Sequence, residues 1–420
     1  MKNKFPKVLN DLILILLTAQ IASVSFSIAL SSICFGIWVG LWLIQIIVSK
    51  KLTYDTKTFD QLKLINLFIL LYILFEIFSR FFALYPEGAF INLKRLLLFL
   101  IFYVSVIKIV NIKTLERIML VIVCSISAVA IYELIRYGLK FNEMISQMPF
   151  SEIRINYFNY PLTSGEIKMM VFLSVFPLLF IKEKFILEKK YLIILLVPVF
   201  ISMILTQSRN VYVALALCFI VYGIMMNRKF LLAMIIIAAI GWFILPTEYT
   251  ERMRSIVDLN HLSNKSRLSM WKVGWEMFRD HPFTGIADSH ILEIYKTYKV
   301  PGEASEGVHL HSNPMMILAT TGIFGFISFC SFFILMFLKQ IKFYFNETSP
   351  ADKALLLGSI LVMISFQVSG IFEWSFGDHE VMTVFFFLIA VPFVVNKLKV
   401  TSFENKLLPQ RYKDSKKRFL

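Results

Sequence analysis

Hydrophobic residues form continuous runs along most of the chain, and most polar residues lie in the stretches between these runs. The runs are about 17–25 residues long, the length that a helix needs to cross about 30 Å of hydrocarbon. They lack the alternation with period 2 that a transmembrane barrel strand requires, so a barrel is excluded. The pattern predicts an all-α polytopic membrane protein.

The runs predict about twelve transmembrane helices, which places both termini on one side of the membrane. The predicted spans are 9–27, 29–48, 64–83, 91–109, 116–136, 165–182, 191–207, 210–226, 229–246, 314–338, 354–373 and 380–396. The first run is not followed by a small-residue cleavage site and a soluble domain, so we interpret it as a span rather than a signal peptide. Residues 1–420 are treated as one membrane domain.

The charge distribution orients these helices. The net charge of +15 is compatible with nucleic-acid binding, but most lysines and arginines lie in the even-numbered connections and at both ends. This is the positive-inside pattern, so these segments are assigned to the cytoplasm and no nucleic-acid partner is expected. The opposite, periplasmic face then carries the two longest connections, 137–160 and 247–313. Long connections between packed helices are usually functional, so 247–313 is expected to carry part of the active site.

Within this large loop, Ser266 is predicted to cap a helix over 267–280, which Pro282 ends. Four apolar residues share one face of that helix: Leu268, Trp271, Trp275 and Phe278. The pattern fits a helix at the membrane surface with aromatic anchors, and equally a helix packed on the bundle.

Two histidines and an amide end the large loop in the segment VHLHSNP, which contains His309, His311 and Asn313. An imidazole titrates near neutral pH, so a general base is one interpretation; structural hydrogen bonding and a metal site are the others. A zinc site needs three or four ligands, and this segment supplies two. The cysteines Cys34, Cys124, Cys218 and Cys330 lie in separate apolar runs, so we expect neither disulfides nor a metal site.

Arginines provide the second signal. Arg209 lies in the tight turn TQSRN between two spans, where it either extends toward water or binds an anion such as a phosphate. Arg267 stands at the start of the predicted loop helix, where the helix dipole also favours a phosphate. Arg154 and Asp378 reach the same face, and Asp378 is a candidate to orient a catalytic His or Arg.

At these residues the sequence resembles the O-antigen ligase family. The matching pieces are TQSRN with Arg209, SRLSMWKVGWEMFRDHPF with Arg267, and VHLHSN with His311. The family's H-x10-G pattern is met by His311 and Gly322. Its R-x3-L pattern is met loosely, because Val213 stands where the family has leucine.

The resemblance implies a GT-C-like fold and a glycosyltransferase that moves O-antigen polysaccharide from undecaprenyl diphosphate to lipid A-core, at the periplasmic face of the bacterial inner membrane. Arg209 and Arg267 would hold the diphosphate and His311 would take the proton of the acceptor hydroxyl. Arg154, His309, Asn313 and Asp378 are the further candidates for substrate binding. The implied partners are the lipid-linked donor, lipid A-core and membrane lipids, and no metal or other cofactor is expected.

Three alternatives stay open at this point. O-antigen polymerases and protein O-oligosaccharyltransferases share the membrane fold and similar motifs. A lipid-linked glycan transporter would also have about twelve spans, but transporters place ionisable groups or broken helices near the membrane midplane. Here the candidate residues gather at one face.

Overall fold

A computed structural model describes residues 5–49, 60–148, 152–183, 187–244, 247–299 and 307–417. The α-helices are α1 (Phe5–Ser23), α2 (Ile28–Ser49), α3 (Lys63–Phe81), α4 (Phe99–Lys108), α5 (Ile112–Gln147), α6 (Pro161–Val175), α7 (Lys189–Leu205), α8 (Arg209–Met225), α9 (Arg228–Ile244), α10 (Thr247–Arg254), α11 (Leu262–Asp280), α12 (Ile291–Tyr298), α13 (Asn313–Asn346), α14 (Pro350–Phe372) and α15 (His379–Lys417). Short 3-10 helices occupy Ile91–Leu98, Phe176–Phe180 and Ser375–Gly377. The predicted all-α membrane fold is confirmed.

Seven helical segments in the described chain are long and apolar enough to cross a membrane. They are α2, α3, α5, α6 with the following 3-10 turn, α13, α14, and α15 as far as Thr401. Helix α8 is apolar but shorter. The total of about twelve spans also counts α1, shorter helices such as α7 and α9, and the region 91–109, so it stays a prediction. Residues 245–246 of the predicted span 229–246 lie outside the described residues.

Aromatic residues of the last three helices build the centre of the bundle. Phe366 of α14 and Phe385 of α15 stack with their ring centroids 3.9 Å apart, and Phe333 of α13 packs beside Phe385. Helix α14 also packs along α6 and α8, so the core is continuous through the second half of the chain. Helix α9 has no buried residue and lies at the periphery.

Four buried charges tie the large loop to the bundle, and we call them the buried ion cluster: Glu76, Arg80, Arg95 and Asp288. Glu76 pairs with Arg80 at 2.6 Å and with Arg95 at 2.5 Å, and Asp288 of the loop pairs with both arginines. Burial alone would raise the pKa of Asp288, but Arg95 and Arg80 hold that pKa below its usual value. Two positive and two negative charges therefore balance, and the loop is fixed to α3 and to the 3-10 helix Ile91–Leu98.

The loop helix differs from its prediction at the N-terminus. Helix α11 begins at Leu262, and its cap is His261, whose Nδ1 accepts a 3.3 Å hydrogen bond from the Ser263 N–H. The prediction of Ser266 as the cap is therefore wrong, because the imidazole supplies the acceptor one turn earlier. Arg267 consequently lies in the second turn of α11, beyond the unpaired N–H groups that were expected to help it bind phosphate.

Helix α11 packs on the bundle through one face and exposes another. Four residues of its buried face contact Leu310 and neighbouring apolar side chains: Met270, Val273, Gly274 and Met277. Leu268 and Trp275 of the predicted aromatic face are exposed, whereas Trp271 is partly buried. The helix is therefore packed on the bundle, and its placement at the membrane surface stays a prediction.

Helix α13 is broken at Gly322, which has a φ of 68°. The loop segment 282–287 lies against the break, where Ile323 N donates to Pro282 O at 2.8 Å and Ile286 N donates to Ala319 O at 3.0 Å. A Cβ atom at Gly322 would lie 2.8 Å from the backbone of Phe283. Gly322, the glycine of the H-x10-G pattern, is thus needed where the loop docks. One short helical segment separates it from His311.

The smaller predicted loop, 137–160, is partly helical. Helix α5 continues to Gln147, about ten residues beyond the predicted end of its span at 136. Residues 149–151 of this loop and 300–306 of the large loop lie outside the described residues. The remaining extended segment, 152–160, carries Arg154 toward the turn before α8.

Candidate active site

The ends of four α-helices meet around a cavity of about 230 Å³. The N-terminal part of α6 contributes Thr163 and Glu166, and the segment after α14 contributes Glu373 and Asp378. The backbone before α13 contributes both histidines of the predicted motif. The fold therefore brings segments more than 200 positions apart in sequence into one polar cavity.

His311 and Glu373 form a hydrogen-bonded dyad in this cavity. The Nδ1 atom of His311 lies 2.9 Å and 3.1 Å from the two carboxylate oxygens of Glu373. Burial would raise the pKa of Glu373, but the hydrogen bond and the charge of His311 hold that pKa below its usual value. An ionised carboxylate at Nδ1 fixes the proton there and leaves Nε2 to accept another. The arrangement suits a general base.

Backbone geometry positions the dyad. His311 has a φ of 44°, in the left-handed region, and the next residue, Ser312, is the N-cap of α13. Glu373 follows the last residue of α14 directly. Each partner thus stands at the end of a packed helix, so their separation is fixed by the bundle and not by a free loop.

His309 lies beside the dyad. Its ring centroid is 4.2 Å from that of His311, and its Nε2 is 3.7 Å from Glu373 Oε1. Burial, followed by the neighbouring His311, lowers the pKa of His309 to about 4. His309 is therefore neutral at physiological pH and adds polarity without charge.

Four arginines form a second group, which we call the arginine cluster: Arg154, Arg209, Arg252 and Arg267. Arg209 is the first residue of α8, and its Nη1 donates to Ser255 O at 2.8 Å while Nη2 donates to Ser263 Oγ. These bonds join α8 to both α10 and α11. The tight turn before Arg209 is confirmed, since α7 ends at Leu205.

Two further arginines share one acceptor. Arg154 and Arg252 both donate to the backbone carbonyl of Gln207, at 2.9 Å and 3.1 Å. Gln207 has a φ of 50°, an unusual conformation for a residue other than glycine, and its side chain donates to Ile153 O. The turn between α7 and α8 therefore gathers cations from two loops.

No acid among the described residues forms an ion pair with the arginine cluster. In the described part of the chain, none of its members has a carboxylate within ion-pair distance, and Arg267 makes no hydrogen bond there. Burial, followed by Arg252, lowers the pKa of Arg154, and burial and Arg252 also lower that of Arg267. Glu373 opposes this change at Arg267, which shows that the arginine cluster and the dyad are electrostatic neighbours. A bound anion would relieve the mutual repulsion.

Two of the predicted substrate-binding residues are already engaged within the protein. Asn313 is buried, and its Oδ1 accepts a 2.9 Å bond from the Phe376 N–H. Asp378 lines the cavity, but its carboxylate caps α15 and accepts from Thr163 Oγ1 at 2.6 Å. The role of orienting His311 belongs to Glu373 and not to Asp378, because the latter is held by the cap.

Sequence reasoning missed Arg252 and Glu373. Arg252 stands in the motif-free stretch TERMR, and Glu373 ends a long apolar helix where a lone carboxylate gives no local signal. Only the packing of α14 against the segment before α13 reveals the second residue. It also adds a third possible metal ligand, since His309, His311 and Glu373 each offer one ligand atom and these lie within 4.8 Å of one another.

Comparison with known families agrees with the site. Residues 193–330 match the family model described as O-Antigen ligase. The matched segment contains three arginines of the cluster, Arg209, Arg252 and Arg267, together with both histidines of the cavity. No curated protein matches the chain.

Proposed function

We propose that the chain is an O-antigen ligase, which transfers O-antigen polysaccharide from undecaprenyl diphosphate to lipid A-core, and the match of residues 193–330 to that family model supports this proposal. The observation that carries the proposal is the arginine cluster, which has no partner acid among the residues that the structure describes, beside the His311–Glu373 dyad. The arginine cluster suits a diphosphate, and the His311–Glu373 dyad suits a hydroxyl group that must lose its proton. Glycosyl transfer from a lipid diphosphate needs both.

The arginine cluster would act on the donor. Arg267 has a guanidinium without a protein partner in the described chain, so it is the first candidate to pair with phosphate oxygens in a bidentate geometry. Arg209 is held by Ser255 and Ser263, which fixes its direction. As the bond between the sugar and the diphosphate breaks, negative charge grows on the leaving oxygen, and fixed cations stabilise that charge.

The dyad would act on the acceptor. Nε2 of His311 takes the proton of the acceptor hydroxyl while the hydroxyl oxygen forms the new bond to the anomeric carbon. The electron pair of the broken bond leaves with undecaprenyl diphosphate, and the ionised Glu373 stabilises the imidazolium through Nδ1. The cavity, at about 230 Å³, is smaller than the roughly 300–1,000 Å³ of common ligand pockets. It would therefore enclose only the reacting sugars and leave both lipids outside.

The orientation of the site is part of the proposal. The site residues lie at helix ends reached by the odd-numbered connections, whereas lysines occupy the other ends. Lys397, for example, donates to the carbonyl groups of Val106 and Ile109 at the end of α4. By the positive-inside rule these ends and both termini are cytoplasmic, which puts the site at the periplasmic face of the inner membrane.

The test is transfer by the purified protein in detergent, with an undecaprenyl-diphosphate-linked glycan as donor and lipid A-core as acceptor. We expect the wild type to modify the core and His311→Ala to lose roughly 10²- to 10⁴-fold in rate, the usual contribution of a general base. His281→Ala, outside the cavity, is the matched control and should retain activity. Donor chains that lengthen without core modification would establish a polymerase instead, and near wild-type transfer by His311→Ala would refute the assigned base.

A further inference from the structure

His309, His311 and Glu373 have the composition and spacing of a transition-metal site. The closest approaches are 2.9 Å between His311 Nδ1 and Glu373 Oε2, and 3.7 Å between His309 Nε2 and Glu373 Oε1. Zinc ligands bind at about 2.0–2.2 Å, so neighbouring ligand atoms in a tetrahedral site are roughly 3.3–3.5 Å apart. All three ligand atoms lie within 4.8 Å of one another, so side-chain shifts on the order of 1 Å would admit the ion.

We propose that these three residues bind one divalent ion of the zinc class and that the bound ion inhibits transfer. Two imidazoles and a carboxylate form a ligand set found in zinc proteins, with the fourth position open to water. Here that position would face the cavity that all three residues line. Imidazole ligands favour zinc, copper or nickel over magnesium and calcium. The inhibition part rests on the proposed function, because it concerns His311 as the base.

Inhibition follows from the placement of protons. The ion would take the place of the proton between His311 Nδ1 and Glu373, and that proton would move by way of solvent to Nε2 of the same ring. A neutral imidazole bound to metal through Nδ1 carries its remaining proton on Nε2, so this nitrogen can no longer accept one. The ion therefore blocks the nitrogen that the reaction uses.

Two features limit the affinity. Coordination by Nε2 of His309 moves the ring proton to Nδ1, which gives up the 3.3 Å bond that Nδ1 accepts from the His311 N–H. The neighbouring Arg267 also repels a divalent cation, although Glu373 offsets part of that repulsion. The site is thus suited to reversible inhibition and not to a permanent structural ion.

Metal binding is tested by calorimetry on the full chain in detergent, purified without a polyhistidine tag and stripped with EDTA. We expect one equivalent of Zn²⁺ to bind and Mg²⁺ not to bind. His309→Ala and Glu373→Gln should each weaken Zn²⁺ binding by more than the roughly 10- to 100-fold that loss of an outer-shell partner costs. His281→Ala should bind as the wild type does. Absence of saturable Zn²⁺ binding, or unchanged binding in His309→Ala, would overturn the site.

Transfer assays then separate the two proposals. We expect EDTA to leave the rate unchanged or higher, and one equivalent of Zn²⁺ to inhibit transfer until EDTA restores it. Loss of transfer in EDTA with rescue by Zn²⁺ would overturn the inhibition. Zn²⁺ binding that leaves the rate unchanged would confirm the metal site and refute His311 as the base.

Discussion

Two groups of arginines in this molecule differ in one respect, which is the balance of charge around them. In the buried ion cluster, Arg80 and Arg95 face two carboxylates, so that two positive charges lie beside two negative ones. The arginine cluster holds four guanidiniums and no carboxylate at ion-pair distance within the described chain. The first group is balanced in charge without a ligand, and a bound anion would balance the second.

The difference separates structural from functional arginines where the sequence does not. Burying a charge without a partner costs several kcal/mol, so a protein keeps such an arrangement only where something compensates it. For the arginine cluster the compensation would be the donor diphosphate. Mutations should therefore act on stability in one group and on catalysis in the other.

The largest effect is expected in the buried ion cluster. Asp288→Ala leaves two buried arginines with one carboxylate, which should cost about 3–5 kcal/mol of stability, as removal of one partner of a buried ion pair usually does. The measurement is the thermal unfolding of the purified protein in detergent. Glu293→Ala, an exposed carboxylate of the same loop, is the control and should leave the unfolding temperature unchanged. A stable Asp288→Ala protein would mean that the charges are hydrated.

In the arginine cluster, Arg267→Ala should lower the rate of transfer by roughly 10²- to 10³-fold, the usual cost of removing one fixed group that stabilises developing negative charge. The unfolding temperature should stay the same or rise, because a repulsive charge is removed. Arg209→Ala should lower the rate of transfer by a similar factor. Arg267→Lys and Arg209→Lys should restore little of that rate, since the charge of lysine lacks the guanidinium fork. Arg279→Ala, on the exposed face of α11, is the control.

A smaller effect is expected from Arg252, the arginine without a sequence signal. Arg252→Ala should lower transfer by about tenfold, because the remaining arginines still hold the donor and one charged hydrogen bond is worth about 1.5–3 kcal/mol. Arg254→Ala is a close control, since Arg254 lies two residues away over the ring of Trp242, 5.5 Å from its centroid. Equal losses in both variants would show that α10 matters for folding and not for phosphate binding.

The smallest effect is expected at His309. His309→Ala should lower transfer only a few-fold, far less than the roughly 10²- to 10⁴-fold expected for loss of the general base. Because the pKa of His309 is about 4, its charged form appears only as the pH falls toward that value. Between about pH 5 and 8 the variant should therefore keep the shape of the wild-type pH–rate profile. A changed profile, or a loss equal to that of His311→Ala, would reopen the choice of base.

Features that depend only on neighbouring residues could be predicted from the sequence. Runs of apolar residues predict the helices, and the turn around Arg209 is found where TQSRN predicts it. The predicted N-cap of α11, Ser266, is wrong because His261 is the N-cap. Both residues are capable acceptors, and packing of the loop decided between them.

The site itself could be predicted only in part. His309 and His311 are two positions apart in sequence, so their proximity could be predicted, and the family pattern added Arg209 and Arg267. Glu373 joins them from 62 positions away through helix packing. No local rule distinguishes that carboxylate from one that is simply hydrated at the end of a helix.

The left-handed backbone at His311 offers a practical route to trapping the substrates. Glycine adopts a φ of 44° without steric cost, whereas alanine does not. His311→Gly should therefore remove the imidazole while easing the backbone strain that the native residue carries. The His311→Gly protein would bind the lipid-linked donor and the lipid acceptor without transferring the glycan, so that both could be observed together in a single frozen complex.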